Sequence, residues 1–231
     1  MERIQGPIFD LIALMTGRGD VITTVISFFS VAVIIFIVFP IHECAHGFMA
    51  KLLGDDTAER EGRLTLNPFA HIDPMGALCM CLCCIGWAKP TPVNVSRCRK
   101  VKARTALALT SLAGPMANIL LSLVFIIIEK ILLGDAINLS NTVIYIAVAL
   151  DYAIYINIYL AVFNLLPIPP FDGSKILYSF LPAKGISFME RNGQYIHWGF
   201  FLLLIIGVLD IPLGIISNFI YWLLDLATFF L

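Results

Sequence analysis

Long apolar runs without charge recur along the chain and set its predicted architecture. They comprise residues 21–41, 105–128, 142–166 (interrupted by one acid), 199–209 and 211–224. About 20 apolar residues in a helix cross a lipid bilayer. Because lipid offers no hydrogen-bond partners, spanning segments satisfy their main-chain polar groups as helices. The pattern therefore predicts an all-α polytopic membrane protein.

Between the first two long runs the pattern is mixed and predicts a different kind of element. Residues 54–74 are polar, whereas residues 75–87 are apolar but too few to span a bilayer as a helix. We therefore predict a short re-entrant or extended membrane-associated segment at about residues 62–94. Residues 167–170 contain three prolines, which cannot continue a helix, so the backbone after the third long run is predicted to be extended.

Composition agrees with this pattern and excludes several classes of protein. The 231 residues are 59% hydrophobic and 13% charged, with a mean hydropathy of +0.91, whereas soluble domains are about half apolar and a quarter charged. The net charge of −1 gives no reason to expect a nucleic-acid partner. No polar stretch is long enough for a soluble core. We predict one membrane domain over residues 1–231, embedded in the lipid bilayer, with C-terminal membrane helices at about residues 195–231.

Basic residues gather in one loop and orient the chain. Those that follow residues 75–87, with no acid among them, are Lys89, Arg97, Arg99, Lys100, Lys102 and Arg104. The positive-inside bias places this loop in the cytoplasm. Residues 105–128 then leave the cytoplasm and residues 142–166 return to it, which brings Asp172 to the cytoplasmic side. If residues 75–87 do not cross, the end of the first long run is cytoplasmic as well.

A pair of histidines follows the first long run, in the motif His42-Glu43-Cys44-Ala45-His46. On a helix, residues i and i+4 share a face, so both rings can bind one zinc ion. Glu43 then lies beside the metal, where it can take a proton from the attacking water. The alternative is a pair of helix histidines satisfied by packing. Ionisable groups within an apolar helix are costly, however, and are functional by default.

Zinc in catalytic sites has three protein ligands, so the third must come from elsewhere in the chain. Asp172 is the best candidate, because the prolines before it present it from a rigid segment and Gly173 permits a tight turn. Asp151 is the rival carboxylate, but it lies within the third long run. His71 can also bind a metal, although its place in a turn with Asn, Asp and Pro favours a role in organising the loop.

Other polar and sulfur-containing residues lie in apolar segments. Asn118 and Asn164 can donate hydrogen bonds to a scissile carbonyl or its oxyanion, and Asn118 can equally join two packed helices. Four cysteines crowd residues 79–84. Packing of small thiols is favoured there over metal binding, because the spacing fits no zinc motif.

The motifs together resemble those of the site-2 protease family, the intramembrane zinc metalloproteases of peptidase family M50. Residues 42–46 are similar to its H-E-x-x-H motif, residues 164–173 to its N-x-x-P-x-P-x-x-D-G motif, and residues 114–118 to its G-P-x-x-N helix. Residues 62–76 and 86–94 resemble segments of a short bacterial branch without PDZ or CBS domains. The resemblance extends from about residue 34 to residue 173.

This resemblance implies a fold, a cofactor and an activity. It implies a three-helix catalytic core at about residues 21–173 and one Zn²⁺ per chain. It also implies cleavage of a transmembrane protein substrate near the cytoplasmic face, as in regulated intramembrane proteolysis, in the cytoplasmic membrane of a bacterium. The implied zinc ligands are His42, His46 and Asp172, and the implied general base is Glu43.

Two other functions fit parts of the pattern. A metal-ion transporter would also line a pathway with histidine and aspartate, and an inactive relative would act as a membrane scaffold. The paired metal motifs favour the protease, the sequence lacks the inverted repeats of many transporters, and every catalytic position of the family is occupied. Self-association into a homo-oligomer stays open, as do the substrate and its cleavage site.

Overall fold

Helices make up nearly all of the regular structure in the computed structural model, which describes residues 7–83, 86–134 and 140–230. The α-helices in these ranges are α1 (Pro7–Met15), α2 (Val21–Val33), α3 (Phe39–Leu53), α4 (Thr57–Arg60), α5 (Pro74–Cys83), α6 (Ala103–Leu133), α7 (Asn141–Asn164), α8 (Asp172–Phe180), α9 (Ala183–Ile205) and α10 (Asp210–Ala227).

Four helical stretches within the described ranges are long and apolar enough to cross a membrane. They are Thr24–Leu53, Ala103–Leu133, Val143–Asn164 and Asp210–Ala227. The prediction of an all-α polytopic membrane protein is thereby confirmed. The helix α9 is not among these four stretches, and the apolar residues 199–209 comprise its end, residues 199–205, and the turn that precedes α10.

The first span changes its helical geometry just before the histidine pair. The sequence predicts a long helix over residues 21–53 with a kink at Pro40, and the structure interrupts this helix with a π-helical segment at Ile34–Val38. There the Phe39 N–H donates to the Ile34 carbonyl, five residues earlier. This wider turn precedes Pro40, which has no N–H and whose ring clashes with the carbonyl four residues earlier in a regular helix.

Three helices, α3, α6 and α7, pack together and form the frame of the candidate site. The helix α6 lies against both α3 and α7, and α8 also packs on it. Further along the same helices, Val33 and Val38 of the first span pack with Ala153 of α7. The core between α6, α7 and α10 consists of Ile126, Ile154, Ile158, Val162 and Leu213. The site residues therefore project from a packed helical scaffold.

Residues 62–94 contain short elements in place of a spanning helix. The helix α5 has 10 residues and so rises about 15 Å, half of a bilayer core. A 3₁₀ turn occupies Pro68–Ala70, and the β-structure of the described ranges is limited to an isolated bridge between Ile72 and Ala88. The predicted re-entrant or extended segment is thus part helix and part extended chain.

Cys79, Cys81 and Cys83 lie on α5. Cys81 packs against a buried apolar cluster that contains Met80, Val31 and Ile34, as the packing interpretation predicts. Cys84 falls outside the described residues.

Two helices near the C-terminal end of the chain differ from the sequence-based prediction. The helix α8 was not predicted, and α9 begins at Ala183, twelve residues before the predicted start at Tyr195. Both segments carry charged residues, such as Lys175 and Arg191, and therefore show no long apolar run. The predicted break near Asp210 is confirmed, because α10 begins there.

Candidate metal centre

Two histidines of α3 and one aspartate of α8 converge on a single point. His42 Nε2 lies 3.2 Å from Asp172 Oδ2, His46 Nε2 lies 3.1 Å from the same oxygen, and the two Nε2 atoms are 3.1 Å apart. All three side chains are buried. They are the one such group of potential metal ligands found in the described part of the chain. Since 130 residues separate His42 from Asp172, the packing of α3 and α8 on α6 brings them together.

The spacing of these atoms fits a metal ion. Ligands held at about 2.0 Å in tetrahedral geometry stand about 3.3 Å from one another. The observed separations of 3.1 and 3.2 Å are close to that edge length. A zinc ion can therefore be placed among the three atoms without large movements of the side chains.

The hydrogen bond of His46 determines which of its ring atoms faces the centre. His46 Nδ1 lies 2.7 Å from the main-chain carbonyl oxygen of Thr110. Because a carbonyl only accepts, the ring carries a proton at Nδ1, and a neutral ring then has a lone pair at Nε2. That lone pair faces Asp172 and His42. Such an outer hydrogen bond is typical of metal-binding histidines.

Gly114 allows α6 to approach the two rings. A Cβ atom at this position would lie 2.5 Å from His46 Nε2 and 2.6 Å from His42 Nε2. Real Cβ contacts are not this short, so any other residue would displace the rings or the helix. The glycine of the G-P-x-x-N motif thus provides space directly at the candidate metal position.

Asp172 begins α8, directly after the proline-rich residues that the sequence predicts to be extended; the structure instead forms turns there, in which the Phe171 N–H donates to the Ile168 carbonyl. Gly173 fits closely against the end of α7, since a Cβ atom there would lie 2.1 Å from the Leu165 carbonyl oxygen. Lys175 Nζ donates to Asp172 Oδ1 at 3.0 Å, which leaves Oδ2 facing the histidines. Against the effect of burial, the Lys175 ammonium group favours the charged form of the Asp172 carboxyl, and the pKa of this carboxyl lies below its usual range. The carboxylate is therefore ionised.

Glu43 lies next to His42 in α3 and contacts a different segment. Its Oε2 accepts a hydrogen bond of 2.7 Å from the main-chain N–H of Thr91. The side chain is half-buried. Glu43 is not part of the converging group of ligand atoms, so its carboxylate is available for another task beside the centre.

The two asparagines differ in their hydrogen bonding. Asn118 is 1% exposed and lies one helical turn after Gly114, and its Oδ1 has no hydrogen-bond partner within the described ranges. Asn164 ends α7, and its Nδ2 donates to the Leu160 carbonyl at 2.9 Å. Asn118 therefore has the greater unused hydrogen-bonding capacity.

The other two candidate ligands lie apart from the centre. His71 Nε2 lies 2.8 Å from the Thr65 carbonyl oxygen, and the His71 carbonyl accepts the Lys89 N–H at 2.8 Å. These contacts join loop segments, and the loop-organising role of His71 stays a prediction. Asp151 lies near Glu129 of α6 and is not part of the converging group of ligand atoms.

Three contacts at the site could not be found from the sequence motifs. They involve the Thr110 carbonyl, the Thr91 N–H and the Lys175 ammonium group. Main-chain contacts depend on how the segments pack, which no residue type reveals. Lys175 would have been found from its i, i+3 spacing to Asp172 if α8 had been predicted.

Comparison with known proteins identifies related sequences. A family model described as "Peptidase family M50" matches residues 29–207. Three relatives are each named "Putative zinc metalloprotease". YwhC of Bacillus subtilis is 38% identical over 188 residues, covering 80% of this chain and 80% of the relative. Rip2 of Mycolicibacterium smegmatis is 27% identical over 190 residues (81% and 70%), and MJ0611 of Methanocaldococcus jannaschii is 40% identical over 67 residues (29% and 31%). No solved structure matches the chain significantly.

Proposed function

The chain belongs to peptidase family M50 and is a zinc metalloprotease, and we propose that it cleaves a peptide bond within a transmembrane segment of its substrate. The observation that supports this proposal is that two of the three candidate metal ligands lie on a helical stretch long and apolar enough to cross a membrane. His46 belongs to the span Thr24–Leu53 and lies seven residues before its end, about 10 Å along a helix axis. A centre at this position reaches bonds inside the membrane.

We assign His42, His46 and Asp172 as the ligands of one zinc ion per chain. The assignment rests on the convergence of their three ligand atoms and on the proton that Thr110 holds at His46 Nδ1. Bound zinc would polarise the scissile carbonyl and lower the pKa of the attacking water. Three protein ligands leave a fourth position open for these groups.

We assign Glu43 as the general base. Its carboxylate is adjacent in sequence to His42 and does not belong to the ligand group. It takes the proton from the attacking water and later delivers it to the leaving amine. Asn118 and Asn164 are both candidates for a hydrogen bond to the scissile carbonyl, because a side-chain amide has two N–H donors and Asn164 uses one of them on the Leu160 carbonyl.

The substrate class follows from the position of the centre. A transmembrane helix satisfies its main-chain groups internally, which also shields its peptide bonds. The substrate must therefore unwind locally before it can be cleaved, and we expect segments that contain helix-breaking residues to be preferred. Cleavage of this type is the chemical step of regulated intramembrane proteolysis.

We propose that the centre opens towards the cytoplasm of a bacterial cell. The support is the charge of residues 89–104, which contain six basic residues and no acid. These residues directly precede α6, whose first half contributes Gly114 and the Thr110 carbonyl to the centre. The metal ligands and the basic loop should thus lie on the same side of the membrane.

Gly114→Ala should remove most of the bound zinc. The added methyl group would lie 2.5 Å from His46 Nε2, so it displaces the ligand atoms themselves. Zinc per chain is measured by atomic emission on purified protein. The matched control is Gly193→Ala in α9, where a Cβ atom meets nothing within 4 Å. Full zinc occupancy in Gly114→Ala would mean that the metal is bound elsewhere.

The two loops that flank α5 should be on the cytoplasmic side. The test places single cysteines at Glu61 and Ser96, both exposed, in a background that lacks the six native cysteines. Both should be protected from a membrane-impermeant thiol reagent in intact cells and labelled after permeabilisation. If either is labelled from outside, α5 lies in a crossing segment and the proposed orientation is wrong.

Cleavage and zinc transport can be separated in one preparation. Protein in lipid vesicles is supplied with a panel of single-pass transmembrane peptides and, in parallel, with a zinc gradient and an internal zinc-sensitive dye. We expect cleavage of a subset of the peptides and no zinc flux above that of protein-free vesicles. Flux without cleavage would support a transporter, and neither activity would support a scaffold.

A further inference from the structure

Residues 89–94, Lys-Pro-Thr-Pro-Val-Asn, form a segment without regular secondary structure that contacts the histidine motif, and we call this segment the strap. At its centre the Thr91 N–H donates to Glu43 Oε2 at 2.7 Å. Hydrogen bonds to a charged acceptor at this distance are among the strong ones in proteins. The strap is therefore bonded directly to the residue assigned as general base.

The residues on either side of Thr91 in the strap have no main-chain N–H donor. Pro90 and Pro92 flank Thr91 and have no N–H group. Thr91 consequently offers the one main-chain donor in three successive residues. The two prolines also fix their own φ angles, which limits the movement of Thr91 between them.

The strap is anchored on both sides of Thr91. On the N-terminal side, the buried Arg63 donates through one terminal nitrogen to the Lys89 carbonyl and, at 3.3 Å, to the Pro90 carbonyl. The Lys89 N–H donates in turn to the His71 carbonyl. These contacts hold Lys89 and Pro90, the two residues before Thr91, in place.

On the C-terminal side, the Asn94 N–H donates to Asp55 Oδ2 at 2.6 Å. Asp55 is fully buried, and its other oxygen accepts the Thr57 N–H at 3.1 Å. The end of the strap is thus tied to the turn between α3 and α4. Both anchors are independent of the metal ligands.

The strap also packs closely on α3. A Cβ atom at Gly47, the residue after His46, would lie 3.1 Å from Thr91 Cγ2 and 3.0 Å from the Ala58 side chain. The absence of a side chain at Gly47 lets Thr91 rest against the helix that carries Glu43. The approach of the strap is therefore fixed by packing as well as by hydrogen bonds.

We propose that the strap is the positioning device for the general base: Thr91, through its N–H, orients the Glu43 carboxylate, and Arg63 holds Thr91 in place. With Oε2 held by the strap, Oε1 is the oxygen that accepts the proton from water. This inference rests on the proposed role of Glu43. Thr91 and Arg63 act through Glu43 and are positioning residues, not catalytic ones.

The activity test compares two substitutions of Thr91. Thr91→Pro removes the N–H, whereas Thr91→Val keeps it and retains a branched side chain. We expect the kcat of the proline variant to be about 100-fold below that of the valine variant, because a misplacement of about 1 Å costs this much. KM and zinc per chain should be the same in both. The probe is a transmembrane peptide that the wild-type protein cleaves in lipid vesicles, with a fluorophore and a quencher on opposite sides of the cleaved bond.

A second measurement detects the hydrogen bond without catalysis. In metal-free protein labelled with ¹⁵N-threonine, the Thr91 amide should exchange slowly with deuterium. Glu43→Ala should speed this exchange by about 10- to 100-fold, since hydrogen bonds to charged groups protect to this extent. The amide of Thr110, within α6, serves as the internal reference and should not change.

The outcomes separate this inference from the proposed function. Equal kcat values for Thr91→Pro and Thr91→Val, or fast Thr91 exchange in the wild type, would overturn the role of the strap even if the protein is an active protease. Loss of zinc in Thr91→Pro would make the strap a structural element of the metal centre, which also contradicts the proposal. Failure of the wild type to cleave any peptide would count against the proposed function. The exchange result would still show whether the Thr91 N–H is hydrogen-bonded to Glu43.

Discussion

Glu43→Gln is expected to lower the rate of peptide cleavage by about 10²- to 10⁴-fold and to leave one zinc ion per chain in place. The amide has nearly the same shape as the carboxylate, but it cannot accept the proton of the attacking water. Because Glu43 is outside the group of ligand atoms, we expect its substitution to leave zinc binding unchanged. Cleavage of a transmembrane peptide and zinc content are measured on the same purified sample.

A matched control for this substitution is Glu61→Gln. Glu61 is exposed in the turn after α4 and lies outside the assigned site, so neither rate nor zinc content should change. Activity of Glu43→Gln near that of the wild type would reassign the base and weaken the mechanism. Loss of zinc together with activity would instead indicate that Glu43 is a ligand.

Asp172→Ala should weaken zinc binding by more than about 100-fold, because even the outer partners of metal ligands contribute 10- to 100-fold to affinity. The substitution removes the one carboxylate oxygen that lies within 3.2 Å of both histidine rings. Zinc affinity is measured by competition with a chromophoric chelator. The expected result is a protein that retains its helical content but is purified nearly free of zinc.

The rival carboxylate provides the control. Asp151→Asn should bind zinc as the wild type does, because Asp151 is not part of the converging group of ligand atoms. Its position thirteen residues before the end of α7 corresponds to about 20 Å along the helix. Full zinc binding by Asp172→Ala, or its loss in Asp151→Asn, would show that the ligand set is wrong.

The spans and the converging residues are the features that sequence predicts best. Charge-free runs mark three of the four candidate spans almost directly, because hydrophobic length is what a bilayer requires. His42 and His46 share a helix face by spacing alone. Asp172 could be proposed as their partner although it is 130 residues away, because prolines and a glycine surround it.

Other features could not be predicted, for physical reasons. The helices α8 and the first half of α9 carry charges and have no apolar run, so their pattern does not differ from that of a loop. The π-helical segment before Pro40 depends on how the preceding helical turn relieves the clash between the proline ring and the carbonyl four residues earlier. The Thr110 carbonyl and the Thr91 N–H are main-chain groups, which do not depend on the residue type. Their contacts with His46 and Glu43 are determined by tertiary packing alone.

The central claim is that this zinc metalloprotease cleaves inside the membrane, and the position of the cleaved bond tests it most directly. A transmembrane peptide that the wild type cleaves in lipid vesicles is digested, and both products are sequenced by mass spectrometry, with Glu43→Gln as the inactive reference. We predict a cut within the transmembrane segment, in its half nearer the side on which the basic residues 89–104 lie. A cut confined to the water-exposed flanks, or the same products from Glu43→Gln, would contradict the claim.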